Sequence, residues 1–207
     1  MSAPFHDASA AAELPDLSQL ATPLYGGRYE ILALIGVGGG GSVYRARDVE
    51  LDEIVALKVL RKELLADPGA LERFRNEVRL SRRVTHRNVA RMFDIGEHEG
   101  ERFLTMELVE GESLSRRIAA GPDGQGRPMP LASIANLIEQ VCAGLEAAHG
   151  CGIVHCDLKP DNLLISADEQ GERVVITDFG IARAFRQPAA QPADPRKFDG
   201  TPMYIAP

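Results

Sequence analysis

The chain has 207 residues, of which 44 % are hydrophobic and 26 % are charged, as in an ordinary globular protein. Its net charge of −7 argues against a nucleic-acid-binding role, since such proteins usually carry a basic excess. No apolar run approaches the roughly 18 residues of a membrane span, and three cysteines without a spaced framework are typical of a reducing compartment. We therefore expect a cytoplasmic protein, with any membrane anchor lying downstream of these residues.

The first part of the chain predicts strands after a leader. Residues 1–25 are rich in Ala, Pro and Ser and lack the basic start of a secretory signal, so we expect them to form a flexible leader. Strand-forming residues occupy positions 26–36, and "SVYRARD" resumes that pattern after a glycine run. "EIVALKVL" (Glu53–Leu60) is an apolar run short enough to be a buried strand.

A helix and a hairpin follow. Residues 67–84 predict a helix because Leu71, Phe74, Val78 and Ser81 recur at helical spacing. Residues 90–110 predict two strands around the turn "EHEGE". The first part is thus several antiparallel strands with one helix.

The second part changes character after a Gly/Pro loop at residues 121–130. Apolar positions fit one face of a helix over residues 131–149, and a short strand then ends at "TDFG". A β-rich lobe over residues 26–110 therefore precedes an α-rich lobe over residues 111–207. The predicted fold class is α+β with two lobes.

The glycine run "IGVGGGGSVY" contains G-x-G-x-x-G at Gly36, Gly38 and Gly41. A dinucleotide-binding fold requires a helix directly afterwards, whereas "SVYRA" is strand-like. A P-loop requires Gly-Lys-Ser/Thr, which does not follow. Either a plain hairpin turn or a hairpin whose backbone approaches a phosphate fits the pattern.

Lys58 and Glu77 are charged residues in apolar settings. Lys58 lies inside the buried-type strand and shares a face with Ala56, although a lysine at a strand edge could reach solvent. Glu77 borders the apolar face of the predicted helix, where it could equally lie in water. The economical interpretation pairs them, so that Glu77 holds Lys58 and Lys58 points at an anion beneath the glycine loop.

"IVHCDLKPDNLL", residues 153–164, concentrates reactive side chains. His155 and Cys156 are neighbours and point to opposite sides of an extended chain, which argues against a nucleophile–base pair. A zinc site would need further ligands at known spacings, such as Cys-x-x-Cys. We therefore expect Cys156 to be a small, half-buried thiol.

The same segment carries carboxylate, lysine and amide groups. Asp157 and Lys159 lie two residues apart and can face one centre. Asn162 and, later, Asp178 at a strand end offer oxygen ligands for a hard cation. A carboxylate to orient a hydroxyl, a lysine for negative charge and an Asn/Asp pair for a cation are the groups that phosphoryl transfer requires.

The motifs "GVGGGGSV", "VALK", a helical Glu77, "HCDLKPDN", "DFG" and "GTPMYIAP" occur in this order. With its motifs in that order, the chain resembles a protein kinase of the bacterial, eukaryotic-like Ser/Thr type over about residues 29–207. The resemblance implies a two-lobed kinase-like fold, with a β-rich N-lobe and hinge over residues 26–110. Residues 111–207 would form a partial α-rich C-lobe holding the catalytic loop, "DFG" and the activation segment.

The resemblance also implies an activity and roles. The chain would transfer the γ-phosphate of ATP to Ser/Thr hydroxyls of protein substrates. Asp157 would be the catalytic base, Lys159 would steady the γ-phosphate, and Thr201 would shape the substrate site. Lys58 would contact the α/β-phosphates and Glu77 would anchor it.

By the same resemblance, Asn162 and Asp178 would hold Mg²⁺, with Mn²⁺ as the alternative cation. Val43, Ala56 and Leu164 would enclose the adenine. The complete nucleotide site is expected at Ile35, Gly36, Gly38, Gly41, Val43, Ala56, Lys58, Glu107, Val109 and Leu164.

The chain departs from the family pattern at several points. Cys156 stands where many kinases have arginine, and residues 181–200 contain no Ser, Thr or Tyr. This combination predicts a non-RD kinase whose activity does not depend on activation-loop phosphorylation. Ser81 replaces a larger apolar residue. Gly40 replaces the bulkier side chain often found at the loop tip, and the four consecutive glycines predict weak ATP binding because closing the loop costs more entropy.

The sequence stops at "IAP", before the glutamate that the family pattern has next. We therefore expect a fragment, whose helix over residues 131–149 exposes an apolar patch. The alternative function is a truncated, inactive nucleotide-binding or interaction module. A small-molecule kinase of related fold is disfavoured by "GTPMYIAP", which belongs to the peptide-substrate side.

Overall fold

A computed structural model describes residues 24–65, 69–120, 128–168 and 171–179 of the chain. The predicted site residue Thr201, the helix-starting Pro68 and the motif "GTPMYIAP" lie outside these described residues. The α-helices and strands follow in the order β1 (Tyr29–Gly38), β2 (Gly41–Asp48), β3 (Glu53–Leu60), α1 (Ala70–Ser81), β4 (Met92–His98), β5 (Glu101–Glu107), β6 (Glu112–Ser113), α2 (Leu114–Ala119), α3 (Leu131–Gly150), β7 (Leu163–Asp168) and β8 (Gly171–Ile176). Short 3-10 helices occupy Lys62–Leu65 and Pro160–Asn162.

The first lobe is a five-stranded antiparallel sheet with strand order β1-β2-β3-β5-β4. Strand β3 lies at its centre, and its side chains alternate between two buried faces. Leu57 joins Tyr29 and Phe103 in a core on the outer face. Ala56 and Leu60 belong to the core on the opposite face.

Helix α1 covers that opposite face. It begins after Gly69, whose φ of 86° is a left-handed conformation that glycine adopts at little cost. Phe74, Val78 and Ser81 are buried along one side of the helix, as their spacing predicts, and Ala70 is buried with them. Leu71, also predicted on this face, is partly buried and packs against the same core. Because Phe74 and Val78 pack in the same core as Ala56, α1 is held directly over the strand that carries Lys58.

The second lobe combines the three-stranded sheet β6-β7-β8 with helix α3. Its core includes Leu137, Ile153, Val174 and Ile176. The predicted helix 131–149 and the strand before "DFG" are confirmed, whereas β7, β6 and α2 were missed. Each of these missed elements is six residues or shorter, which leaves little periodicity to detect.

Part of helix α3 presents apolar side chains to the surface, as predicted. Leu131 is 82 % exposed, Ile138 is 57 % exposed and Ile134 is 37 % exposed. No described helix combines the length and the apolar character needed to cross a bilayer.

The loop after α1 joins the two lobes. Ile176 of β8 donates its N–H to the carbonyl of Asn88 at 2.9 Å, and its own carbonyl accepts from Ala90 N–H at 2.9 Å. Val89 thereby forms a parallel bridge with Ile176. The Asn88 side chain also donates to Val174 O and to Gln140 Oε1. This loop therefore pairs with the sheet of the second lobe.

Candidate active site

A cleft of about 640 Å³ lies between the two sheets. That volume is in the range of small-molecule binding sites. The cleft is lined by Ile35, Gly36, Val37, Val43, Arg45, Ala56, Met106, Glu107, Leu108, Val109, Glu110, Gly111, Ser113, Arg116, Asp161, Asn162, Leu164, Thr177 and Asp178. Nine of the predicted nucleotide and metal residues thus meet in one place.

Part of the cleft lining is apolar. Val43 and Ala56 come from neighbouring strands β2 and β3, and Leu164 comes from β7 in the other lobe. Met106 was not predicted as a site residue, although it lines the cleft directly opposite Ala56 in the β3–β5 register. Only the strand pairing reveals this position, because β5 is far from β3 in sequence. Flat, apolar walls on both sides suit a planar heterocycle.

The glycine loop joins β1 to β2 above Lys58. A Cβ on Gly41 would lie 1.9 Å from the carbonyl oxygen of Val59, and Gly41 has a φ of 139°. Only glycine therefore fits there. A Cβ on Gly40 would lie 3.4 Å from Lys58 Nζ, so the loop tip passes directly over the lysine amine.

Lys58 is 6 % exposed, and its amine lies 2.6 Å from Asp178 Oδ1. The predicted partner was Glu77, whose Oε2 is buried on helix α1. Among the described residues, the carboxylate that Lys58 contacts is Asp178 instead. Asp178 has a left-handed backbone, with φ of 62°, and its carboxylate contacts the lysine of β3. The structure therefore places a cation and a carboxylate together at the end of the cleft.

The catalytic-loop candidates also meet. Lys159 Nζ lies 2.8 Å from Asp157 Oδ2, as expected for two residues that face one centre. Asn162 donates its side-chain amide to the backbone carbonyl of Asp157 at 2.7 Å. Thr177 N–H donates to the carbonyl of Asn162 at 2.9 Å, which ties this loop to the end of β8 just before Asp178.

His155 is buried and serves as a brace. Its Nδ1 accepts the N–H of Asp157 at 3.2 Å, and its Nε2 lies 2.8 Å from the carbonyl of Thr177. Its ring also packs edge-on against Phe179, with ring centroids 4.7 Å apart. Burial lowers the pKa of His155, so the imidazole is neutral and Nε2 carries its proton. Since both ring nitrogens are engaged, a Cys156–His155 nucleophilic pair is excluded.

Two non-glycine residues of the site have strained backbones. Cys156 has a φ of 67° and Asp178 has a φ of 62°. Left-handed conformations of such residues cost free energy and cluster at functional sites. Cys156 directly precedes Asp157, and Asp178 lines the cleft. The surrounding structure therefore holds both residues in this conformation.

The oxygen ligands suit a magnesium-type cation more than a transition metal. No three or more His, Cys, Asp or Glu side chains in the described part of the chain group around a common point. Asn162 and Asp178 both line the cleft and offer one amide oxygen and one carboxylate. Magnesium is commonly held by one or two protein oxygens together with substrate phosphates and water.

Further polar residues surround the cleft entrance. Arg45 Nη1 lies 2.9 Å from Glu110 Oε1, joining strand β2 to the segment that follows β5. Ser113 accepts the N–H of Arg116 at 3.2 Å and so caps helix α2 beside the cleft. The sequence did not predict these residues as part of the site, because a polar side chain on a strand or on a short helix does not by itself indicate which cleft it faces.

Comparison with known proteins agrees with this geometry. The model of the protein kinase domain family matches residues 29–207. The chain is 42 % identical over 182 residues to the serine/threonine-protein kinase pkn2 of Myxococcus xanthus, covering 87 % of this chain and 21 % of that protein. It is 41 % identical over 186 residues to the serine/threonine-protein kinase PknA of Mycobacterium tuberculosis, covering 87 % of this chain and 41 % of that protein. The chain thus spans less than half the length of these relatives.

A solved structure shares the fold. The crystal structure of the Mycobacterium tuberculosis PknI kinase domain superposes with a TM-score of 0.68 at 27 % identity. The superposition covers 79 % of this chain and 64 % of that one. The predicted two-lobed kinase fold is thereby confirmed. Protein kinases act on protein substrates with ATP and a divalent cation. The chain belongs to the protein kinase family, among bacterial relatives named as serine/threonine kinases.

Proposed function

We propose that this chain carries the catalytic centre of a protein kinase that transfers the γ-phosphate of ATP to Ser and Thr hydroxyls. The observation that carries the proposal is a connected set of two lysine–carboxylate pairs beside the cleft, which Asp178 and Asn162 line. Lys58 contacts Asp178, and Lys159 contacts Asp157. Both pairs are connected through Asn162 and Thr177, so the groups for binding phosphate and for orienting a hydroxyl share one rigid frame.

Each side chain has a distinct part in this proposal. Adenine lies between Val43, Ala56 and Leu164, with its edge toward the backbone of Glu107 and Val109. Lys58 binds the phosphates, aided by the glycine loop that passes above its amine. Asp157 accepts a hydrogen bond from the attacking hydroxyl and orients it, and Lys159 stabilises the charge that develops on the transferred phosphoryl group.

Asn162 and Asp178 hold the divalent cation in this proposal, with Mg²⁺ favoured over Mn²⁺. Hydrogen bonding of the Asn162 amide nitrogen to Asp157 O leaves its oxygen for a cation. When bound, the cation would neutralise phosphate charge. Glu77 remains the proposed anchor of Lys58 once Asp178 has turned to the cation, and Thr201 remains the proposed contact to the substrate side.

The alternative of an inactive binding module is less well supported. Every acidic and basic side chain that the reaction requires is present, and those described face the cleft or one another. The matched relatives are themselves named as kinases.

We also propose a reducing, ATP-containing compartment, which is the cytoplasm. All three cysteines, Cys142, Cys151 and Cys156, are free thiols in the structure. Cysteines of proteins in oxidising compartments are usually paired.

The deciding experiment measures transfer of labelled phosphate from Mg·ATP to an acceptor protein rich in exposed Ser and Thr. It uses the 207-residue chain and, in parallel, the full product of its gene, whatever the length of that product. Asp157→Asn should lower transfer by at least about a hundredfold, the low end for general-base and orienting groups. Asp52→Asn changes an exposed carboxylate outside the cleft and should leave transfer unchanged. Absence of Asp157-dependent transfer by the full gene product would refute the proposal, as would label found on tyrosine alone.

A further inference from the structure

The guanidinium of Arg173 links the second lobe to two segments of the first lobe. Arg173 lies on β8 of the second lobe. Its Nε donates to the backbone carbonyl of Arg87 at 2.7 Å, in the loop that follows helix α1. Its Nη2 donates to Glu107 Oε1 at 3.0 Å, at the end of β5. One planar fork therefore binds two separate segments of the first lobe at once.

Glu107 is held on the same side by Arg91. The backbone N–H of Glu107 donates to the carbonyl of Arg91 at 2.8 Å. In return, Glu107 Oε2 accepts the N–H of Arg91 at 3.2 Å. The N–H and both carboxylate oxygens of Glu107 are thus engaged away from the cleft, while the residue itself lines the cleft.

The Arg173–Glu107 pair is more sheltered than most charged pairs of the described residues. The two side chains are 22 % and 28 % exposed, compared with 41 % and 72 % for Arg45 and Glu110 at the cleft entrance. Partly desolvated, charge-assisted hydrogen bonds are stronger and more directional than exposed ones. The pair therefore has the geometry and burial to restrain the backbone that it contacts.

We propose that Arg173 is a positioning residue for the nucleotide base. Acting through Glu107, it sets the position of the backbone at residues 107–109 relative to the second lobe. This inference rests on the proposed function, because it assumes that the base lies against this backbone. Since Arg173 touches neither phosphate-binding lysine, its influence falls on recognition of the base and leaves the phosphate end of the cleft unaffected.

The test compares Arg173→Met with an arginine of similar burial away from the cleft. Arg102 pairs with Glu97 within the β4–β5 hairpin and is 26 % exposed, so Arg102→Met is the matched control. Affinities for Mg·ATP and Mg·GTP are measured by competition against a fluorescent ATP analogue. We expect Arg173→Met to lower the ratio of ATP to GTP affinity by roughly five- to tenfold, a typical coupling between connected sites. Arg173→Lys keeps the charge but cannot contact both segments. Its ratio of ATP to GTP affinity should lie between the ratios of the wild-type chain and of Arg173→Met.

A second readout does not involve nucleotide. Hydrogen exchange at the Arg91 amide should become faster in Arg173→Met, because the carboxylate that accepts this N–H is no longer held. The denaturation midpoints of Arg173→Met and Arg102→Met should be similar.

Three results would count against the inference. An unchanged ATP/GTP ratio in Arg173→Met, when the wild-type chain binds ATP, would overturn it while leaving the proposed function intact. Equal losses of ATP and GTP affinity with a lowered denaturation midpoint would show a merely structural role. A wild-type chain that binds neither nucleotide would overturn both proposals.

Discussion

Lys58 Nζ and Asp178 Oδ1 lie 2.6 Å apart across a separation of 120 residues, and they join the centre of the first sheet to the end of β8. In this contact each charge neutralises the other. A phosphate that draws Lys58 away leaves Asp178 facing negative charge unless a cation arrives with it. The pair thus links nucleotide binding to metal binding.

This linkage predicts how Asp178→Asn alters the effect of Mg²⁺ on ATP affinity. In the wild-type chain, ATP should bind considerably more tightly with Mg²⁺ than with EDTA. Asp178→Asn removes both the cation ligand and the repulsion, so the ratio of the two affinities should shrink by roughly tenfold, about 1.4 kcal/mol. Isothermal titration with and without Mg²⁺ checks this, with Asp52→Asn as the control. An unaltered ratio would contradict the linkage.

Gly41 should be far less tolerant of substitution than its neighbour Gly39. A Cβ at Gly41 would overlap the Val59 carbonyl, whereas one at Gly39 would meet nothing within 4 Å. Gly41→Ala must shift the backbone of β2 or β3, and we expect it to lower the free energy of unfolding by about 2–4 kcal/mol. Gly39→Ala should change it by less than about 1 kcal/mol. Urea denaturation of both variants measures the difference, and equal effects would contradict the described loop geometry.

Cys156 should tolerate glycine because its backbone is left-handed. Cys156→Gly removes a conformational strain of about 1–2 kcal/mol and adds about 0.5–1 kcal/mol of unfolded-state entropy. The free energy of unfolding should therefore stay constant or rise by up to about 1.5 kcal/mol. Cys151 has an ordinary φ of −90°, so Cys151→Gly should be destabilising. Chemical denaturation distinguishes the two, and a Cys156→Gly variant less stable than Cys151→Gly would contradict the explanation.

His155 predicts a pH dependence of stability. Its folded pKa lies below the unfolded value of about 6.5 because burial disfavours the imidazolium. The unfolded state therefore binds more protons than the folded state as pH falls below about 6.5. The contribution of His155 is fully present above that pH and is progressively lost toward the lowered folded pKa.

The corresponding measurement follows the denaturation midpoint from about pH 7.5 to about pH 5.5, which brackets the unfolded histidine pKa. His155→Gln should be less stable at neutral pH and should show a shallower decline on acidification than the wild-type chain. His149 is exposed at the end of α3, so His149→Gln should keep the wild-type slope. Identical slopes for His155→Gln and the wild-type chain would exclude His155 as the source of the pH dependence.

The sequence predicted those helices and strands whose hydrophobic pattern extends over many residues. The alternation of β3 placed Ala56 and Lys58 on one face, and helical spacing placed Phe74 and Val78 in the core, as the structure confirms. Nine of the twelve nucleotide and metal residues expected from the motifs line one cleft. These predictions rest on periodicity and on chemistry carried by single short segments.

Contacts between residues that are distant in sequence could not be predicted from local patterns. The sequence provides two carboxylates for Lys58, Glu77 and Asp178, and only the three-dimensional structure shows that Asp178 forms the contact. The close approach at Gly111, where a Cβ would lie 2.2 Å from Ile165 O, depends on β6 pairing with β7. Both are properties of how segments distant in sequence come together.

The pairing of the loop at Asn88 with Ile176 changes how the chain should be divided. A cut after residue 110 separates the lobes in sequence order. It also strips Asn88 of its contacts with Val174 and Gln140, and it uncovers Val89, which is 3 % exposed. A protein comprising the first lobe alone would therefore expose the apolar side chain of Val89 and leave the side chain of Asn88 without these two hydrogen-bond partners. The unit that can be exchanged between kinases in a chimera is the pair of lobes together.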